Sequence, residues 1–327
     1  MKRREFIAGL CGTAAALPLV AHAQPPAMPV IGVLRAQSSD SLDRTVVPFR
    51  KGLGETGFVE GRNVAMEIRT ADNDYSRLPE LAADLVRRRV AVIYASGGSV
   101  SALAAKAATA SIPIVFSIGD DPVRSGLVAS LNRPGGNVTG TAFLTTELGP
   151  KRLGLLKELV PGAARYAALV NPDNPATVSI TAELRAAANM VGREIEVFTA
   201  RNAREIDAAF VDIAQRGAGA LVVGASVLFP NRSVQIATLA AHHRLPAIYY
   251  DRQTVEVGGL MSYGANIMDA TRQSGIYAGR ILKGDKPADL PVIQTVKFEF
   301  VINLQTARTL GLTVPPTLLA QADEVIE

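Results

Sequence analysis

Two carboxylates stand side by side in FSIGDDPVRSGLVASLNRPGGNVTG, the stretch from Phe116 to Gly140. Asp120 and Asp121 are of a type that can ligate a metal, trade protons, accept from an ammonium group or cap a helix. A second candidate is ASGGSVSALAAKAA, residues 95 to 108, in which a glycine pair follows an apolar run and opens a helical pattern. Free amide N–H groups at such a helix start can hold a carboxylate or another small anion; alternatively the stretch is a turn capped by Ser99 or Ser101. Ser101 stands where a nucleophile elbow needs its last glycine, so a hydrolase serine at Ser99 has no support.

Other chemistry is thin. Gly52, Gly54 and Gly57 spell G-x-G-x-x-G, yet they end a helical pattern that begins near Ser41 instead of opening one after a strand. They are expected to stop a helix and turn the chain, and a nucleotide fold is not supported. Of the three histidines, His242 and His243 are adjacent on a helix and point about 100° apart, so they do not face one metal. No metal and no cofactor is implied.

The elements that must position these groups alternate regularly. VIGVLRA from Val30, NVAMEIRT from Asn63, VAVIYAS from Val90 and IPIVFSI from Ile112 read as strands, three of them almost wholly apolar, as parallel strands covered on both faces are. Between them Leu78, Leu81, Ala82 and Leu85 fall at helical spacing on one face. The βαβα pattern restarts after about residue 145 and runs through RYAALVN, EIEVFTA, GALVVGA, LPAIYYD and GLMSYGAN. The fold class is therefore α/β, with two doubly wound parallel-sheet lobes. NVTGTAF and GLMSYGAN are where the chain passes between them, giving a multi-strand hinge. The first lobe is assigned to residues 28–142 plus about 267–290 and the second to 143–266; the segment 291–327 fits either. Ligands of open α/β sheets bind beyond the carboxyl ends of the strands, which is where Ser117, Asp120, Asp121 and the Gly97–Ser99 turn fall. An aspartate there can accept a ligand ammonium while the serine turn takes its carboxylate. As a cap, either aspartate would start a helix after PIVFSI with Pro122 in its first position.

Residues 1–23 read as an export signal: Lys2, Arg3 and Arg4, an apolar run, then Ala21-His22-Ala23. The arginine pair before Phe6 and Ile7 fits the twin-arginine route, and the expected location is the periplasm. The single cysteine, Cys11, lies in that segment, so the exported chain relies on core burial without disulfides. Losing the signal takes the net charge from +4 to about +2, and no basic face suggests nucleic acid.

DDPVRSGLVASLNRPGGNVTG, ILKGDKPADLPV and FEFVINLQTARTLGLTVPPTLLAQADEVIE resemble the substrate-binding proteins of ABC transporters assigned to tryptophan and tyrosine uptake, over essentially the whole chain after the signal. The resemblance implies a type I periplasmic binding protein, a monomer that traps a small molecule between its lobes. It implies delivery to a membrane permease driven by a separate ATPase, with an amino acid or aromatic carboxylate as ligand and no enzymatic turnover. Ser38, Gly98, Ser99, Ser117 and Asp121 are the contacts expected from the first lobe, and Asn171, Ser226 and Asp251 those from the second. Phe143 and Tyr263, near the crossings, are the expected aromatic walls. A repressor of the same fold would need a DNA-binding helix-turn-helix in front, where this chain has a signal. The alternative reading is a periplasmic enzyme using the interlobe cleft, for which no catalytic constellation is present.

Overall fold

Strands that are apolar on both faces must be covered on both, and this chain meets that demand twice. The computed structural model describes residues 28–39, 42–295 and 297–327. The signal segment lies outside the described residues. The first sheet contains β1 (Val30–Arg35), β2 (Ala65–Thr70), β3 (Val92–Ser96), β4 (Ile114–Ile118) and β5 (Val138–Ala142). Helices α1 (Leu42–Glu55), α2 (Leu78–Arg87) and α3 (Ser99–Ala108) connect these strands. The second sheet contains β6 (Arg165–Val170), β7 (Glu194–Thr199), β8 (Ala220–Val223), β9 (Ala247–Tyr249) and β10 (Met261–Ala265). Its helices are α4 (Gly149–Leu159), α5 (Thr177–Met190), α6 (Ala203–Gln215), α7 (Ser233–His242) and the short α8 (Arg252–Glu256). After β10, α9 (Ile267–Leu282) returns to the first sheet, packing on β3, β4, β5 and α1.

The last segment is divided between the sheets. Its strand β11 (Ile293–Gln294) pairs with β5, whereas β12 (Phe298–Asn303) joins β10 and carries β13 (Glu324–Ile326) on its far side. Helices α10 (Leu304–Thr309) and α11 (Pro316–Gln321) lie between those last two strands. The chain therefore crosses between sheets at three places among the described residues, one more than expected. Among the described residues all ladders are parallel save β10 with β12, which is antiparallel. That pair follows a direct return from β11 with no intervening helix. The strand orders are β2-β1-β3-β4-β5-β11 and β7-β6-β8-β9-β10-β12-β13.

Each sheet has a core on both faces. In the first, Leu34, Ile93, Phe116 and Ile118 pack under α2 and α3, while Ile31, Val33, Tyr94 and Val115 pack under α1 and α9. In the second, Tyr166, Val222 and Phe300 lie on the α4 and α5 side, and Leu169, Phe210 and Leu221 on the α6 and α7 side.

Helices α1 and α9 touch backbone to backbone. A Cβ on Gly52 would sit 1.8 Å from the Arg272 carbonyl oxygen, and one on Gly275 would sit 2.1 Å from that of Phe49. The G-x-G-x-x-G triplet is thus explained by packing at Gly52 and by the turn after α1, where Gly57 has φ +91°. The helix expected after Asp121 does not form. Pro122 instead opens a run of turns closed by Ser125 N–H to Asp121 O and by Leu127 and Val128 N–H to Pro122 O.

Candidate functional site

The crevice follows from strand order. In the first sheet the chain leaves β1 outward to β2 and then returns past β1 to β3, so the loops after β1 and β3 diverge and leave an opening. In the second sheet the same reversal occurs at β6, between β7 and β8. Ser38, Gly98 and Ser99 follow the first switch point; Asn171 and Ser226 follow the second. These two openings face each other: a Cβ on Gly98 would lie 4.0 Å from Val227 Cγ1.

The first side is built on two consecutive residues with positive φ, Gly97 (+87°) and Gly98 (+97°), a conformation that L side chains rarely adopt. The turn brings Gly97 against the Gln37 side chain, whose Oε1 is buried without a partner. Neither Ser99 nor Ser101 caps α3; Gly98 holds the cap position with no side-chain hydrogen bond. The Asp120 carboxylate lies beside that helix start, close enough for hydrogen bonding from the Ser99 hydroxyl, its own amide and the Ser99 amide to act on it. Burial pushes the Asp120 carboxyl above the usual carboxylate range; those hydrogen bonds pull it back, and Asp121 pushes it up again.

Asp121 does different work. Its Oδ1 accepts from Val123 N–H at 2.7 Å and Arg124 N–H at 3.2 Å, so it caps the turn that follows it. Ser117 is turned to the opposite face of the sheet. It is paired in register with Ser96 and Thr141, and shares the α9 side with Tyr94. Burial raises the Tyr94 phenol to about 12, and the Thr271, Ser117 and Ser96 hydroxyls lower it. Phe143 is held at the first crossing by its N–H to Ile118 O, with its ring 3.0 Å from where a Cβ on Gly119 would be. It is therefore next to Asp120.

On the second side Asn171 is 5% exposed and its Oδ1 accepts from Asp173 N–H at 3.0 Å. Asn174 ties the β6 loop to the β8 loop through Nδ2 to Ala225 O at 2.8 Å. Ser226 Oγ accepts from Leu228 N–H, and its carbonyl accepts from the Tyr250 hydroxyl. Asp251 caps α8 through Thr254 N–H and Oγ1, both at 3.0 Å. Burial raises its carboxyl; the Thr254 bonds, Arg44 and Arg152 lower it. Tyr263 is not brought to this group. Its ring packs against Phe298 at 6.0 Å and Phe300 at 6.4 Å, in a separate pocket with Lys151 and Leu155.

Three residues were missed by the reading of the sequence. Tyr75, in the loop after β2, acts electrostatically on Tyr250, after β9, and itself feels Asp173 of the second lobe. Burial raises Tyr75 to about 12 and Tyr250 well above its ordinary value. Tyr250 precedes Asp251 at a strand end, a position that did carry a signal; Tyr75 sits in a polar loop and carried none. Arg152 of α4 is 1% exposed and joins two crossings, donating Nε to Tyr263 O at 2.9 Å and Nη2 to Thr145 O. Its guanidinium lies 5.9 Å over the Tyr250 ring, and desolvation lowers its pKa to about 10.

At the seam where the two lobes meet, these groups bring together an acidic residue near the start of α3, the amides of the glycine turn and phenol rings from both lobes. Comparison with known proteins places the chain in a family. The family model for ABC transporter substrate binding proteins matches residues 30–326. A tyrosine-binding protein of Clostridioides difficile is 28% identical over 283 residues, covering 86% of this chain and 81% of that one. Among solved structures, an ABC domain from Streptococcus pneumonia in complex with L-Trp superposes with a TM-score of 0.82 at 26% identity. The ligand-free, open structure of a Clostridium difficile substrate binding protein with adhesive properties gives 0.65 at 25% identity. Each alignment covers 91% of this chain and 99% of the other.

Proposed function

This chain belongs to the ABC transporter substrate-binding protein family, and from that premise we propose that it captures an aromatic amino acid, tryptophan or tyrosine, and delivers it to a membrane permease of the periplasmic face. The observation that carries this reading is the meeting of the two switch points, with Gly98 and Val227 in near contact. The higher similarity to the L-Trp complex than to the open, ligand-free relative supports the same closed arrangement.

The chemistry assigns the ends of the ligand. Asp120, beside the start of α3, accepts the ligand ammonium, and the Gly97 and Gly98 amides, which precede the Ser99 amide turned to Asp120, are offered to the ligand carboxylate. Tyr75, Tyr250 and Phe143 enclose the ring, and Asn171 and Ser226 close the second side. Contacts made from both lobes favour the closed form, which is the state the permease reads. The work is binding and release, with the ligand returned unchanged. Export as a folded protein by the twin-arginine route fits residues 1–23.

Because the chain has no tryptophan of its own, the emission of bound L-Trp reports binding directly. Titration and thermal shift with L-Trp, L-Tyr, L-Phe and L-Leu test the reading. A tight ligand at 100 times its Kd adds about 2.7 kcal/mol of apparent stability. Stabilisation by the first two and recovery of unaltered ligand by mass spectrometry are expected. No response to any aromatic amino acid, or conversion of one, would overturn it.

A further inference from the structure

We propose that Arg44 and Arg124 are positioning residues for capture: each reaches from the first lobe to the second on its own side of the cleft, and together they hold the closed form without touching ligand. The inference rests on the capture reading above and concerns what sets affinity apart from the contacts to the ligand itself.

Arg44 stands in the first turn of α1, whose buried side is fixed against α9. Its Nη1 reaches the Pro230 carbonyl at 3.5 Å and Gln253 Oε1, partners 186 and 209 residues away in the chain. Those acceptors are held in place beforehand. Gln253 Nε2 donates to Pro230 O at 3.3 Å and Ser233 Oγ at 3.2 Å, and Gln253 lies in α8, which Asp251 caps. The Arg44 charge also acts on the Asp251 carboxylate. One cation thus meets two prearranged oxygen acceptors and the field of a third group, all on the other lobe.

Arg124 does the same by ion pairing. Its Nη2 lies 3.3 Å from Glu147 in the first crossing, and its Nη1 lies 4.0 Å from Glu183 of α5. Here the second aspartate of the sequence motif finds its role, because the turn that presents Arg124 is the one capped by Asp121 Oδ1. The paired acidic residues therefore divide the labour: Asp120 faces the crevice, and Asp121 shapes the turn that carries the clasp. Both arginines are largely exposed, so each clasp is weak alone and screened by salt. Weak clasps suit a receptor that must release its cargo, since the apparent Kd equals the intrinsic Kd divided by the closed fraction.

The test uses L-Trp and spin labels. Cys11 is the sole cysteine, so in a Cys11→Ser background Val59→Cys and Met190→Cys, exposed sites on opposite lobes, carry the only labels. Arg44→Ala and Arg124→Ala are each expected to raise the L-Trp dissociation rate about 2- to 5-fold, and the pair about 10-fold, with the association rate unchanged. The label distances should shift toward the open form in step. Arg124→Glu should open the lobes further by repelling Glu147 and Glu183, and adding Glu183→Arg should restore closure, a reversal that loss of structure alone does not give. High salt should reproduce the effect in the parent and do little to the double variant. Unchanged distances and dissociation rates in both alanine variants would overturn the proposal, as would failure of the charge swap to restore closure. If the parent itself does not close on L-Trp, the ligand assignment fails, and the unliganded distances of parent and variants then decide the clasps.

Discussion

Replacing Asp120 by asparagine separates the ligand role of this residue from its structural one. Asparagine keeps an oxygen to accept from Ser99 and removes the charge. Two unit charges about 4 Å apart interact by about 4 kcal/mol at an effective dielectric constant of about 20, and truncating one partner of a buried charged pair costs about 2–5 kcal/mol. Taking about 2–4 kcal/mol, L-Trp affinity should fall about 30- to 700-fold. Stability should move the other way. Burial raises the Asp120 carboxyl above its ordinary value, so its ionised form is disfavoured in the folded chain. That disadvantage is present at neutral pH and vanishes as pH falls below the ordinary carboxylate value. The unliganded variant should therefore melt at or slightly above the parent at pH 7 and level with it at low pH. Binding by the parent should weaken as pH falls through the raised Asp120 value, because a protonated carboxyl does not pair with ammonium. The variant should lack that step. Fluorescence titration of L-Trp from pH 7.5 to 4, with calorimetric melting of both proteins, reads all of this. An asparagine variant within about threefold of the parent in affinity, or a parent whose affinity is flat across that range, would refute the ammonium assignment.

Three further substitutions probe the frame. Gly275→Ala forces a Cβ to within 2.1 Å of the Phe49 carbonyl, and the overpacked α1–α9 contact should lose about 1–3 kcal/mol in urea unfolding. Gly154→Ala, exposed in α4 with nothing within 4 Å of the new methyl, should instead gain about 0.5–1 kcal/mol. Gly98→Ala meets its nearest atom only at 3.8 Å, so its cost is conformational: at φ +97° an alanine should lose about 1–3 kcal/mol and weaken L-Trp binding by disturbing the start of α3. Unfolding and titration of the same samples would show whether that cost falls on the fold, on binding or on both.

The pattern of apolar runs determined much of this protein. Runs such as VIYAS and ALVV are buried along their whole length, and a strand covered on both faces needs helices on both sides, so the α/β class and its two sheets follow from residue order alone. The places of Ser38, Gly98, Ser99, Asn171 and Ser226 just beyond strand ends were legible for a related reason, since the runs that precede them are plainly strands. What periodicity does not carry is which strand lies beside which, and to which face a given side chain turns. Ser117 has the right position along β4 but pairs in register with Ser96 and Thr141 on the α9 side. Tyr263 lies near a crossing, yet the antiparallel β12 that arrives beside β10 brings Phe298 and Phe300 to hold its ring. The two aspartates are alike in sequence; only the turns after Pro122, formed where a helix was expected, set one at α3 and the other on the Arg124 turn. Tyr75, Tyr250 and Arg44 meet their partners across the cleft, and that meeting depends on how two independently folded sheets close on each other. Local sequence encodes burial and turn chemistry, because those act between near neighbours; contacts between lobes are fixed by packing and strand order, which are properties of the whole chain.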